Sequence, residues 1–158
     1  MAIRLALLPV ILSGFSLPAK ADPVQTNGTI IIDQPVARPT PPGSKVGAGY
    51  LRVTNTSSTP DRFLGGTTDR AQRIEVHEMT VTDNIMRMRA LENGIEIKPG
   101  QTVELKPGGL HLMFVNLAAP FKNGDQFKAS LVFEKAGNIE VEFKIGPVSA
   151  PAAGEHAH

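Results

Sequence analysis

Histidine and methionine crowd into one segment of this chain. Away from the termini, all residues of these two types lie between positions 77 and 113: His77, Met79, Met86, Met88, His111 and Met113. Thioethers are soft and never titrate, and an imidazole above its pKa is neutral, so together they offer a metal donors without net charge. Such donors suit monovalent, soft Cu(I), whereas Ca²⁺ and Mg²⁺ prefer hard oxygen ligands. The segment therefore predicts a site for Cu(I).

These six side chains form three pairs with the spacing i, i+2. Positions i and i+2 of a β-strand share a face, so each pair would point to one side of its own strand. In the third stretch, "LHLMFVNL", Leu110, Leu112 and Phe114 point the other way and supply the core. His111 and Met113 therefore need not be core residues. The pattern predicts a soft-metal set carried on adjoining strands.

Short β-branched runs suitable for strands fill most of the chain. Ten runs qualify: "GTIIID", "GAGYLRVTN", "DRFLGG", "RIEVHEM", "IMRMRA", "GIEI", "TVEL", "LHLMFVNL", "QFKASLVFE" and "NIEVEFKI". Pro, Gly, Asn and Asp, which favour turns, lie between them. No segment shows the sustained 3.6-residue period of a helix. Short strands at this spacing predict an all-β domain, either a β-sandwich or a Greek-key barrel.

The first 21 residues are typical of a secretory signal peptide. Arg4 supplies a positive start, the apolar run "LALLPVILSGFSL" follows, and Ala19 and Ala21 have the spacing of a cleavage site. The run is too short to cross a bilayer, which takes about 20 residues. We therefore expect cleavage after Ala21 and a soluble exported product without membrane insertion. Because no cysteine follows the run, we expect no lipid anchor.

Charge and cysteine content exclude several classes of protein. Removing residues 1–21 lowers Lys plus Arg from 16 to 14 and leaves Asp plus Glu at 15, so the net charge changes from +1 to −1. No basic excess remains to attract nucleic acid. The absence of cysteine excludes a blue-copper centre, a thiol redox site and a Cys-rich zinc site. Since the chain also lacks a nucleophile elbow and an HExxH motif, we expect no enzyme.

The spacing His77-x10-Met88-x22-His111-x-Met113 resembles the signature H-x10-M-x21-H-x-M of the periplasmic copper chaperones called PCu(A)C. The surrounding text, including "VHEMTVTDNIMRMR" and "IEIKPGQTVELKPGGLHLMF", is also similar, and the resemblance covers about residues 28–145. The second gap is one residue longer than in the family, and a turn at "ENG" or "KPGG" could hold the extra residue. If the register differs, Met86 would compete with Met88 as a ligand.

The resemblance implies a cupredoxin-like Greek-key β-barrel over residues 22–146 that binds one Cu(I) through His77, Met88, His111 and Met113. It also implies a periplasmic carrier that delivers copper to the copper centre of cytochrome c oxidase, in some cases with a Sco-type partner. We expect the carrier to be a monomer. Two alternatives remain open: a periplasmic copper buffer or tolerance protein, which needs the same site, and a metal-free structural β-sandwich module, which needs none.

Residues near the predicted ligands have less specific roles. Met79 and Met86 are expected to flank the site. Glu75 shares a face with His77 and could accept a hydrogen bond from its ring, although a plain exposed glutamate is the commoner case.

Residues 147–158 are rich in Pro, Ala and Gly and predict a flexible tail. The tail ends with His156 and His158. Tails of PCu(A)C proteins sometimes bind Cu(II), and these two imidazoles could do the same. A solvated terminus is the commoner case for so few histidines.

Overall fold

The computed structural model of the protein describes residues 25–26 and 28–148. The predicted signal peptide and the histidines His156 and His158 lie outside the described residues. Eleven strands occur in the described part: β1 (Gln25–Thr26), β2 (Ile30–Ala37), β3 (Val46–Asn55), β4 (Asp61–Thr68), β5 (Ala71–Thr82), β6 (Ile85–Ala90), β7 (Ile95–Ile97), β8 (Thr102–Leu105), β9 (Leu110–Leu117), β10 (Gln126–Phe133) and β11 (Gly137–Ile145). The same part of the chain contains no helix capable of crossing a membrane. The all-β prediction is confirmed.

Seven of these strands close into a barrel. The neighbours follow the order β2-β11-β10-β4-β5-β9-β3, and β3 pairs back to β2. All pairings in the ring are antiparallel except that of β11 with β2. Closure leaves the ring without the free edges that an open sheet exposes. The other four strands extend it from outside: β1 pairs with β2, β6 with β5, β7 with β4 and β8 with β3.

Buried and exposed positions alternate along the strands, because one face lines the core and the other meets water. In β11 the alternation is complete: Ile139, Val141, Phe143 and Ile145 are buried, and the residues between them are exposed. In β9 the same pattern places Leu112 and Phe114 in the core, as predicted from the sequence. Leu110, at the start of β9, is only partly buried.

Phe114 of β9 lies at the centre of the core. Three further rings meet it edge-on at centroid distances of 5.3–5.5 Å: Phe121, Phe127 and Phe143. Edge-to-face pairs at such distances are favourable beyond the area that they bury. Gly49 of β3 leaves space for the ring, since a Cβ there would lie 2.6 Å from Phe114. Because Phe114 directly follows Met113, this packing also fixes the strand that carries the predicted sulfur ligand.

The longest strand, β5, has two successive neighbours on the same side. Its first part pairs with β4, and from His77 onward it pairs with β6, while β9 lies along its other side. Asp83 and Asn84 connect β5 to β6 and have φ values of 52° and 61°. Positive φ at both residues is the mark of a type I′ turn, which joins tightly paired strands. The β5–β6 hairpin, residues 77–90, extends beyond the barrel, and all of its residues from 80 to 90 are exposed.

Candidate metal centre

The predicted ligands lie on one face of three adjacent strands. β5 is the middle strand, with β9 on one side and β6 on the other. Residues directly opposite each other in antiparallel strands point to the same face. Successive rows on this face are formed by three cross-strand pairs: Glu75 with Met113, His77 with His111, and Met79 with Met88. The longer gap before His111 therefore does not move any predicted ligand to the opposite face.

His77 and His111 face each other across the β5–β9 pair. Their ring centroids are 5.8 Å apart, and the ring planes are tilted by 51°. The side chain of His77 is 13% exposed, and His111 is 5% exposed. His111 is thus buried although it lies on the face of β9 that points away from the core. The facing ring of His77 shields part of it from solvent. The two imidazoles form a sheltered pair.

The hydrogen bonds of His77 leave one ring nitrogen without a partner. Nε2 of His77 lies 2.9 Å from Oε2 of Glu75. An ionised carboxylate only accepts hydrogen bonds, so in the neutral ring Nε2 carries the hydrogen and Nδ1 bears the lone pair. Among the described residues, Nδ1 of His77 is the one buried side-chain nitrogen or oxygen atom that has no hydrogen-bond partner. Since burying such an atom unpaired is costly, its lone pair requires an explanation.

The ring of His111 is held through its other nitrogen. Nδ1 of His111 lies 3.0 Å from the carbonyl oxygen of Gly109. A carbonyl oxygen can only accept, so Nδ1–H donates, and in the neutral ring Nε2 keeps the lone pair. Metal-binding histidines commonly donate their second ring N–H to a carboxylate or to a backbone carbonyl. His77 and His111 provide one example of each arrangement.

Glu75 is fixed by two donors. Besides the ring of His77, it accepts a hydrogen bond from Nε of Arg73 at 2.7 Å. The hydrogen bond from His77, and then that from Arg73, lowers the pKa of Glu75 against the opposing effect of partial burial. The carboxyl group is therefore ionised at neutral pH and orients the imidazole. The sequence left open whether Glu75 was an acceptor or an ordinary exposed residue, and the contact shows that it is an acceptor.

Met113 and Met88 have register positions adjacent to the two histidines on this face. Met113 is two residues from His111 and directly opposite Glu75. Met88 lies diagonally across from His77, an arrangement in which Cα atoms are about 7–8 Å apart and long side chains still meet. Met86 pairs with Val81, one row farther from the rings. Position therefore favours Met88 over Met86 as a partner for the histidines.

Met79 has a more central position than sequence reasoning gave it. It was expected only to flank the site, yet it lies directly beside Met88 and one strand closer to His111 than Met88 does. The spacing of Met79 from His77 was visible in the sequence. What the sequence did not show was that Gly109, directly before β9, lies on the other side of Met79.

Hard donors do not assemble in the described residues. No three side chains of His, Cys, Asp or Glu are grouped there in a way that could hold a metal ion. The donors carried on this face of the three strands are two imidazoles and several thioethers, which are soft or borderline and bear no charge when the rings are neutral. This donor set fits Cu(I) better than it fits Zn²⁺, Ca²⁺ or Mg²⁺.

Known proteins match most of the chain. The family described as putative lipoprotein LpqE-like matches residues 30–145. A curated relative, "Putative lipoprotein Lxx21020" of Leifsonia xyli subsp. xyli (strain CTCB07), is 32% identical over 99 residues, which are 63% of this chain. The match spans 60% of the length of that relative.

Solved structures of copper proteins share the barrel. The copper-bound PCuAC domain from PmoF2 is 25% identical, with a TM-score of 0.67, and the match covers 82% of this chain and 100% of that domain. The structure of CuI-DR1885 from Deinococcus radiodurans is 24% identical, with a TM-score of 0.57, over 81% of each chain. These matches confirm the prediction of a cupredoxin-like barrel. The chain belongs to the LpqE-like family, and its barrel has the PCuAC-type fold.

Proposed function

We propose that this protein carries copper, binding one Cu(I) through Nδ1 of His77, Nε2 of His111 and the sulfur atoms of Met113 and Met88. The observation that carries the proposal is the buried, unpartnered Nδ1 of His77 beside a second ring whose Nε2 also keeps its lone pair. Two neutral imidazoles with two thioethers add no charge to the ion, which suits Cu(I). The copper-bound PCuAC domain from PmoF2 supports the same choice of metal.

The proposed site of action is the periplasm, which the protein reaches after its signal peptide is cleaved behind Ala21. The word lipoprotein in the names of the family and of the curated relative supports export. None of the 158 residues is a cysteine. The word lipoprotein in those names therefore does not identify an acylated residue in this sequence. Oxidising compartments convert thiols to disulfides, whereas thioethers form none. A soft site without thiols is therefore suited to exported copper.

Delivery proceeds by exchange of ligands. Met88 is 50% exposed, whereas both histidines are largely buried. A donor of the accepting protein therefore reaches the ion from the side of Met88, which is open to solvent, and not from the side of the imidazoles. Copper stays Cu(I), so no electron is transferred. The resemblance to PCu(A)C proteins makes the copper centre of cytochrome c oxidase the proposed acceptor, with a Sco-type protein as a further partner.

An anaerobic competition titration against the chromophoric chelator bicinchoninate tests this function. We expect one tightly bound Cu(I) per chain, with both nitrogen and sulfur neighbours in X-ray absorption. His77→Ala and His111→Ala should each weaken binding strongly, whereas a control that replaces the tail histidines, His156→Ala with His158→Ala, should not. Unchanged Cu(I) affinity in both ring variants would refute the proposed site.

A further inference from the structure

Three of the methionines share one face of the β5–β6 hairpin. Met79 lies directly opposite Met88, and in the next row Met86 lies opposite Val81. Directly opposite residues share a face, and so do residues two apart on one strand. The three methionines and Val81 therefore point to the same side. It is the side that carries His77. The hairpin thus continues the proposed centre outward with sulfur donors.

Met79 and Met88 form a closely spaced pair. The backbone N–H of Met79 donates to the carbonyl oxygen of Gly109, on the side of β5 that faces away from β6. The pair is therefore of the kind that exchanges no hydrogen bonds between its strands. The Cα atoms of such pairs are about 4.5 Å apart, and their side chains approach each other more closely than those of hydrogen-bonded pairs. Two long thioether chains so placed can bind one ion together.

Two of the three methionines, Met86 and Met88, are exposed to solvent. Met86 is 65% exposed and Met88 is 50% exposed. Methionine usually fills gaps in cores, and neither residue does so here. The other face of the hairpin is mostly polar: apart from Ile85, it carries threonines, Arg87 and the 2.7 Å ion pair of Glu78 with Arg89. Core packing therefore does not explain the methionines.

We propose that Met79, Met86 and Met88 form a second, weaker position for Cu(I), which the ion occupies as it enters or leaves the centre. This inference rests on the proposed function. Met88 belongs to both positions, so the ion can exchange the two imidazoles and Met113 for Met79 and Met86 while its bond to Met88 persists. Neutral donors replace neutral donors and copper stays Cu(I), so the step moves neither an electron nor a proton.

Release kinetics test the second position. Cu(I) release from the loaded protein to excess bicinchoninate is measured anaerobically by stopped flow. The double variant Met79→Leu with Met86→Leu keeps the apolar bulk and removes two sulfur atoms. It should bind the first Cu(I) with unchanged affinity and release it about tenfold more slowly, equivalent to about 1.4 kcal/mol in the activation free energy. The control Ile85→Leu, on the other face, should match the unmodified protein, and a double variant that also matches it would overturn the inference.

Methionine-methyl NMR supplies a direct readout. The first equivalent of Cu(I) should shift the methyl signals of Met113 and Met88. In the variant His77→Ala with His111→Ala, which leaves Met88 free for the second position, Cu(I) should shift the methyl signals of Met79 and Met86. Signals of Met79 and Met86 that stay fixed throughout would refute the second position while leaving the first intact. A first equivalent that moves neither Met113 nor the ring signals of His77 would instead contradict the proposed function. Because Leu preserves the apolar surface, a mere docking role for the methionines would leave release from the double variant unchanged.

Discussion

Nε2 of His77 lies 2.9 Å from Oε2 of Glu75, two residues earlier on the same face of β5. This contact selects the tautomer of His77 and turns the lone pair of the ring to Nδ1. Arg73 holds the other oxygen of the carboxylate at 2.7 Å, so the acceptor is itself fixed. The metal-binding edge of His77 is therefore set before any ion arrives, as preorganised sites require.

Glu75→Gln should weaken Cu(I) binding without unfolding the protein. The neutral amide can donate as well as accept, so it no longer selects one tautomer of His77. Loss of a partner that orients a ligand typically costs about 10–100-fold in metal affinity. Competition titration measures the effect, and Glu92→Gln, at an exposed position, is the control. Equal affinities of the two variants would mean that the His77 ring is oriented by something else.

Met113→Leu should lower Cu(I) affinity by at least about tenfold, or about 1.4 kcal/mol. Leucine has nearly the same volume as methionine and no sulfur, so the thermal unfolding temperature should hardly change. Met88→Leu should also weaken binding, and Met86→Leu should affect the first equivalent little. If Met86→Leu lowered the Cu(I) affinity more than Met88→Leu does, Met86 would be the ligand.

His77→Leu should abolish tight Cu(I) binding and leave the metal-free protein nearly as stable as before. The change removes the hydrogen bond to Glu75, but it also removes a buried nitrogen without a partner, which is itself costly. Because these two effects oppose each other, we expect the free energy of unfolding to change by no more than about 1 kcal/mol. Urea unfolding of the metal-free protein checks this. A loss of several kcal/mol would show that the His77 ring is needed for packing.

Phe114→Ala should destabilise the barrel strongly. The ring touches three other aromatic rings, and truncating such a residue to alanine typically costs about 3–5 kcal/mol. Copper binding should fall as the protein unfolds, because β9 carries His111. The neighbouring, partly buried Val115 offers the control Val115→Ala. Urea unfolding that left the two variants equally stable would contradict the central position of Phe114.

Local patterns predicted the strands well and their partners less well. Each of the ten runs became a strand, but β2 continues past the predicted "GTIIID" to Ala37. It does so across an irregularity at Gln34, where φ is 53°, and hydrophobic periodicity gives no sign of such a bulge. The pairing of His77 with His111 was also beyond a sequence pattern. Three strands lie between β5 and β9 along the chain, so tertiary packing determines their register.

The contact between Glu75 and His77 was likewise predictable only in part. That Glu75 and His77 share a strand face follows from alternation alone. Which ring nitrogen bonds to the carboxylate depends on side-chain orientation, and so does the burial of Nδ1. The residue types of the candidate site were therefore predictable, and the direction of its lone pairs was not.

The hairpin beyond the barrel divides the proposed centre between two units of unequal stability. Among the described strands, β6 pairs with β5 alone, whereas β5 and β9 belong to the closed ring. Regions with few buried contacts open locally at a lower free energy than the core does. The backbone amides of β6 should therefore exchange with deuterium well before those of β9 in the metal-free protein. A Cu(I) ion bound by Met88 and by both histidines would join the labile unit to the stable one and slow that exchange.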